Sequence, residues 1–273
     1  MEITKVYALY FSPAGTTRRL TVTLANALAE SFGVPLETVD ITLPSAREEA
    51  LPAFAEGELV VCGSPTYAGK LPNKLLPFWK ERIQGDGALA VALVTFGSRA
   101  FDNSLAELCA CLTEDGFRVV GAGAFACRHV FSETLAAGRP DKDDYAELAK
   151  LGAAVATRIA KANGEIAPTE VPGDAAAPYY VPKGLDGEPT VFLKAKPKTN
   201  GDCIGCGVCA AVCPMGSIDP ADVTSVPGLC IKCHACVREC PVGAKYFDDP
   251  AFLSHREMLE RDYQRRAETK WFV

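Results

Sequence analysis

No run of this chain is apolar for long enough to cross a bilayer; the longest, such as Ala88–Phe96, have the length of a buried strand. Nor does a charged start lead into a long apolar stretch: Met1–Lys5 lacks that pattern, so a secretory leader is not expected. There is no basic stripe and no DNA-binding motif. The formal charge of -6 argues against nucleic acid, which rewards a concentrated positive surface. Low-complexity stretches are also missing. These absences lead to the expectation of a soluble cytoplasmic protein that engages neither membrane nor nucleic acid.

What the chain does have is cysteine. Of twelve, Cys62, Cys109, Cys111 and Cys127 are scattered through the first half and read as small apolar core residues. The other eight fall between Cys203 and Cys240. Tight clustering without a secretion signal argues against a disulfide framework and for metal. The arrangement is Cys203-x2-Cys206-x2-Cys209-x3-Cys213-Pro214, repeated as Cys230-x2-Cys233-x2-Cys236-x3-Cys240-Pro241. Structural zinc sites usually pair two Cys-x2-Cys knuckles across a long spacer instead.

This spacing resembles that of bacterial ferredoxins, which implies two [4Fe–4S] clusters. Two-residue gaps let three thiolates of one tight loop converge on a cubane, and Gly205 and Gly207 relieve crowding beside the sulfides. The fourth cysteine, on the turn leading away, serves the other cluster. One cluster is thus expected on Cys203, Cys206, Cys209 and Cys240, the other on Cys213, Cys230, Cys233 and Cys236. His234 lies inside the second repeat, yet each cube is full without it, so it is expected at the surface or beside the ligand set.

Ahead of the cysteines, strand-like and helix-like patterns alternate. Strands are expected at Ile3–Phe11, Val34–Ile41, Leu59–Cys62, Ala88–Phe96 and Phe117–Cys127. Helices are expected at Thr16–Phe32, Leu75–Ile83, from an Asp102 cap to about Asp115, and at Asp143–Ala162 behind an Asp141 cap. Five strands in continuous apolar runs, separated by helices, predict an α/β fold: a five-stranded parallel sheet with helices on both faces. Residues 1–163 form this unit. Residues 164–198 read as a Pro-rich connector that packs along a surface, residues 199–249 as a small α+β ferredoxin-like unit, and residues 250–273 as a helical tail over Ala251–Lys270.

Ligands of such a sheet bind at the carboxyl ends of its strands. Three loops fall there. Ser12-Pro13-Ala14-Gly15-Thr16-Thr17 joins strand to helix, so successive amides and hydroxyls suit a phosphate monoester. Pro65-Thr66-Tyr67-Ala68-Gly69-Lys70 and Thr95-Phe96-Gly97-Ser98-Arg99-Ala100-Phe101 each set an aromatic among small residues, suited to gripping a planar ring. His129 follows the fifth strand, where it caps the strand end or approaches that ring.

With Tyr10-Phe11-Ser12-Pro13-x-Gly15-x-Thr17, Pro65 through Pro72 and Thr95 through Asp102 in view, the chain resembles fusions of a flavodoxin-like domain with a two-cluster ferredoxin. The resemblance spans nearly the whole chain. It departs at Ala14-Gly15-Thr16-Thr17, where flavodoxins usually carry Thr-Gly-Asn-Thr. It implies FMN, with phosphate at residues 12–17 and the isoalloxazine between the other two loops. An electron-transfer flavoprotein with redox partner proteins is the expected function, ahead of an FMN-dependent reductase of a small acceptor such as a quinone, and ahead of a redox sensor. Oxygen-labile clusters would suit an anaerobic host.

Overall fold

The computed structural model describes residues 2–273. The apolar runs form parallel strands β1 (Lys5–Tyr10), β2 (Leu36–Asp40), β3 (Glu58–Pro65), β4 (Leu89–Phe96) and β5 (Arg118–Ala126). Their order across the sheet is β2-β1-β3-β4-β5, the doubly wound flavodoxin-like order, with its switch point between β1 and β3. β3 continues past Cys62 because Gly63, Ser64 and Pro65 stay in register with Leu93, Val94 and Thr95.

Helices α1 (Thr16–Phe32), α2 (Leu76–Arg82), α3 (Ser104–Glu114) and α4 (Lys142–Lys161) cover the sheet. On one face Leu20, Leu24 and Leu28 of α1 and Leu148, Leu151 and Val155 of α4 bury against Val6 and Val61. On the other, Trp79, Leu105, Leu108 and Leu112 bury against Leu9, Val60 and Ala92. Each such side chain contributes about 2 kcal/mol of apolar burial. Asp141 caps α4 as expected, in a reciprocal box with Asp144.

Asp102 does not cap α3. Its backbone takes a left-handed φ of 42°, its carboxylate pairs with Arg99, and Asn103 takes the N-cap position.

Residues 163–197 carry no helix, and they are fastened to the sheet body at intervals. Thr169 N–H donates to Val119 O at 2.8 Å, Asp174 N–H to Asn103 Oδ1 at 2.9 Å and Tyr180 N–H to Ala68 O at 2.8 Å. In the cysteine-rich segment, Lys198–Thr199 pairs antiparallel with Lys245–Tyr246. Short helical turns at Val208–Ala211 and Ala235–Arg238 carry the third cysteine of each repeat.

The tail departs from expectation. Helix α5 (Pro250–Asp262) ends eight residues early, and strand β6 (Lys270–Phe272) then joins the sheet antiparallel to β5. Three anchors pull this stretch out straight. Arg266 pairs with Asp141 at 2.6 Å, Arg139 donates to Ala267 O at 2.6 Å, and Trp271 Nε1 donates to Glu147 at 2.9 Å. No helix of the described residues is long and apolar enough to cross a membrane.

Candidate redox centre

The cysteine-rich segment holds two small, partly open cavities. One is lined by Cys213, Cys230, Cys233 and Cys236 together with His234. The other is lined by Cys203, Cys206, Cys209 and Cys240. Each therefore draws three cysteines from one repeat and the fourth from the other. In each cavity four thiols line a void, an arrangement that suits a cubane.

Backbone amides point at the sulfurs: Ser217 N–H to Cys213 at 3.3 Å, Lys232 N–H to Cys230 at 3.4 Å and Ala244 N–H to Cys240 at 3.2 Å. Burial pushes the Cys236 thiol up to about 12; such a thiol stays protonated unless a metal draws the thiolate out. Cys240 behaves oppositely. Slight burial opposes its ionisation, but the amides of Val242, Lys245, Ala244 and Gly243 outweigh that and hold it below its ordinary value.

The first cavity is the inner of the two in that its wall faces the sheet body. Arg47 donates to Pro214 O at 2.6 Å and to Ile41 O and Thr42 O, tying its wall to the loop after β2. Met215 and Ile231 pack on the core of the sheet body. The second cavity opens outward, where Cys206 is exposed beside Ile204 (66% exposed) and Val242 (40%).

The three loops meet at the carboxyl ends of β1, β3 and β4. Gly15, at φ 77°, is the N-cap of α1, and a Cβ there would touch nothing within 4 Å. The lip around Ala14, Gly15 and Thr16 is thus open, with the first amides of the helix available to an anion. Ser12 Oγ accepts Arg18 N–H at 2.9 Å, and Ser12 N–H donates to Thr42 Oγ1 at 2.9 Å. Thr17 and Thr95 hydrogen-bond each other at 2.7 Å, bracing the first loop to the third.

In the second loop Tyr67 and Lys70 exchange backbone hydrogen bonds of 2.8 and 3.1 Å across a tight turn at Ala68 and Gly69, both with positive φ. The Lys70 ammonium turns inward, to Glu107 at 3.0 Å and to the carbonyls of Ala175 and Ala177. It clamps the connector to the turn. In the third loop Phe96 is buried against Phe101, and Arg99 stacks on the Tyr180 ring at 3.8 Å. Pro65, Thr66, Tyr67, Ala68, Gly97, Arg99 and Phe101 keep part of their surface accessible, whereas Thr17, Gly69, Lys70, Thr95 and Phe96 are buried.

His129 lies against Gly97, where a Cβ would come 2.4 Å from the imidazole. Its Nδ1 accepts Phe131 N–H at 3.2 Å, so Nε2 carries the proton. Burial, then the neighbouring His255, His234 and Arg99, push its pKa down to about 3.

A run of rings joins the two sites: His129, against Gly97, lies 4.9 Å from Phe131, and Phe131 lies 5.0 Å from His234, which lines the first cavity. Burial, then the charges of Cys233 and Cys230, raise the Tyr67 phenol well above its ordinary value. The threonine and arginine after β2 were not expected to frame the site, since Thr42 and Arg47 carry no motif. Tyr180 belongs to the stretch 178–193 expected to roof the loops, and it does so through its stack on Arg99 and its hydrogen bond to Ala68 O.

Residues 202–244 match a family model described as a 4Fe-4S dicluster domain. The chain carries an iron–sulfur dicluster segment. No curated protein matches the chain. Among solved structures it is similar to a flavodoxin from the domain Archaea, at 18% identity over 57% of this chain and 99% of that one, TM-score 0.43. It is similar to a Streptococcus pneumoniae TIGR4 flavodoxin at 16% identity, over 57% of this chain and 98% of that one, TM-score 0.36. An NADH:FMN oxidoreductase is similar at 17% identity, over 59% and 91%, TM-score 0.40. The flavodoxin-like topology of the sheet is read from its strand order alone.

Proposed function

We propose that this protein is an iron–sulfur flavoprotein that relays single electrons between a low-potential redox protein and a second acceptor. The interior cavity holds one [4Fe–4S] cluster on Cys213, Cys230, Cys233 and Cys236. The outer cavity holds the other on Cys203, Cys206, Cys209 and Cys240. FMN sits on the three loops, with its phosphate at the open lip of Ala14, Gly15 and Thr16 and its ring between Tyr67 and Gly97–Arg99. Clusters exchange one electron at a time and a flavin one or two, so the pair couples one-electron to two-electron chemistry.

The observation that carries this reading is the run of contacts from the third loop to the first cavity, Gly97 to His129 to Phe131 to His234, with Cys206 of the other cavity exposed. A partner docks where Cys206, Ile204 and Val242 are exposed. The test is anaerobic reconstitution with iron, sulfide and FMN. About eight irons per chain are expected, with one flavin retained through gel filtration. Fewer than about seven irons, or a flavin that washes out, would contradict the proposal.

A further inference from the structure

The two cysteine repeats align residue for residue, and the alignment sets Gly205 against Lys232 and Gly207 against His234. All four adopt left-handed backbone: 67° and 78° at the glycines, 56° at Lys232 and 60° at His234. A glycine takes this conformation freely, while a residue with a Cβ is strained there. Strain of this kind persists where the side chain performs a task.

For Lys232 the task is visible. Its ammonium donates to Leu193 O and Cys230 O, which ties the cluster loop to the connector. His234 is 7% exposed and stacks on Phe247 at 4.7 Å and 11°, with Phe252 and Phe131 close by. Any aromatic ring would serve that stack. Its Nε2, however, is buried with no protein partner, a costly state for a polar atom. The same side chain lines the interior cavity among Cys213, Cys230, Cys233 and Cys236.

We propose that His234, in the tautomer protonated on Nε2, donates a hydrogen bond to a sulfur of the cluster held in that cavity. This inference rests on the cluster assignment above. A donor to sulfur favours the more negative, reduced form, so His234 raises the potential of the interior cluster. Gly207 offers the outer cluster no such donor. This contribution favours transfer from the outer cluster to the interior one, toward the flavin loops.

The test uses the full chain, reconstituted anaerobically, with both midpoint potentials followed by EPR-monitored titration. His234→Phe keeps the ring stack and removes the donor. About eight irons should remain, one midpoint should fall by roughly the equivalent of a tenfold change in its reduction equilibrium, about 59 mV for one electron, and the other should not move. His234→Gln, which can donate again, should recover much of the shift. Two unmoved midpoints at full iron content overturn the inference. If His234→Phe loses iron, pulsed EPR on the reduced wild-type chain with isotopically labelled histidine decides: a hyperfine coupling to the label supports the hydrogen bond, and its absence overturns it. A wild-type chain without iron would instead defeat the cluster assignment itself.

Discussion

The first cysteine repeat, Cys203-Ile204-Gly205-Cys206-Gly207, lies at the surface, with Cys206 and Ile204 exposed. The second, Cys230-Ile231-Lys232-Cys233-His234, has the same spacing but faces inward: Cys233, His234 and Cys236 are buried, and Ile231 packs on the sheet body. Identical ligand geometry has been placed in two environments. The outer loop keeps glycines and access, while the inner loop exchanges them for side chains that bind the connector and fill an aromatic stack. Spacing thus sets what kind of group is held, and the residues between the cysteines set where it faces and how it is tuned.

The largest effect should come from breaking the two repeats separately. Cys233→Ser should remove about half the iron and abolish flavin reduction by an external one-electron donor, because the group on the side of the flavin loops is gone. Cys206→Ser should slow that reduction while leaving direct chemical reduction of the flavin intact. Iron analysis with stopped-flow absorbance separates the cases. Equal behaviour of the two variants would dissolve the distinction between inner and outer sites.

A smaller effect is expected at the left-handed positions. A Cβ on Gly207 would meet no protein atom within 4 Å, so Gly207→Ala should cost at least the backbone strain, about 1 kcal/mol, seen as a lowered thermal midpoint. Lys232→Gly relieves similar strain but loses the tie to Leu193 O, so its midpoint should scarcely change. A clear gain in stability for Lys232→Gly would show that the tie holds nothing.

The smallest effect lies away from both repeats and serves as their control. Asp115 is buried with Oδ2 unpartnered, and burial, then the charge of Glu114, raises its pKa from 3.8 to about 6. Between those values the native chain holds a proton that the unfolded chain has released, so stability falls as pH rises through this window. Asp115→Asn should therefore stabilise by about 1 kcal/mol above the window and by nothing below it. Urea denaturation on either side of the window reads this out, and the cluster spectrum should not change. An equal gain at both pH values would rule out the ionisation as its source.

Much of this architecture was legible in the sequence because its signals are local. Continuous apolar runs marked the inner strands of the sheet, and the resemblance to bacterial ferredoxins divided the eight cysteines into the two sets that line the two cavities. What escaped depends on distant partners. Lys70 reads as a loop cation until Glu107 and the connector carbonyls are seen to surround it. Asp102 reads as a cap, but the pull of Arg99 leaves that position to Asn103. Lys270–Phe272 is too short to announce a strand, and only the edge of β5 makes it one. His234, expected at the surface or beside the ligands, is buried because Phe131, Phe247 and Phe252 arrive from three other segments.

Strand β6 changes the topological status of everything between α4 and residue 270. Because the chain returns to hydrogen-bond with β5, the dicluster segment is a detour within the sheet's connectivity and not a module hung from one leash. It cannot swing away from the sheet and back without first unzipping that edge. Both ends being fastened, the two cavities keep a fixed distance from the three loops.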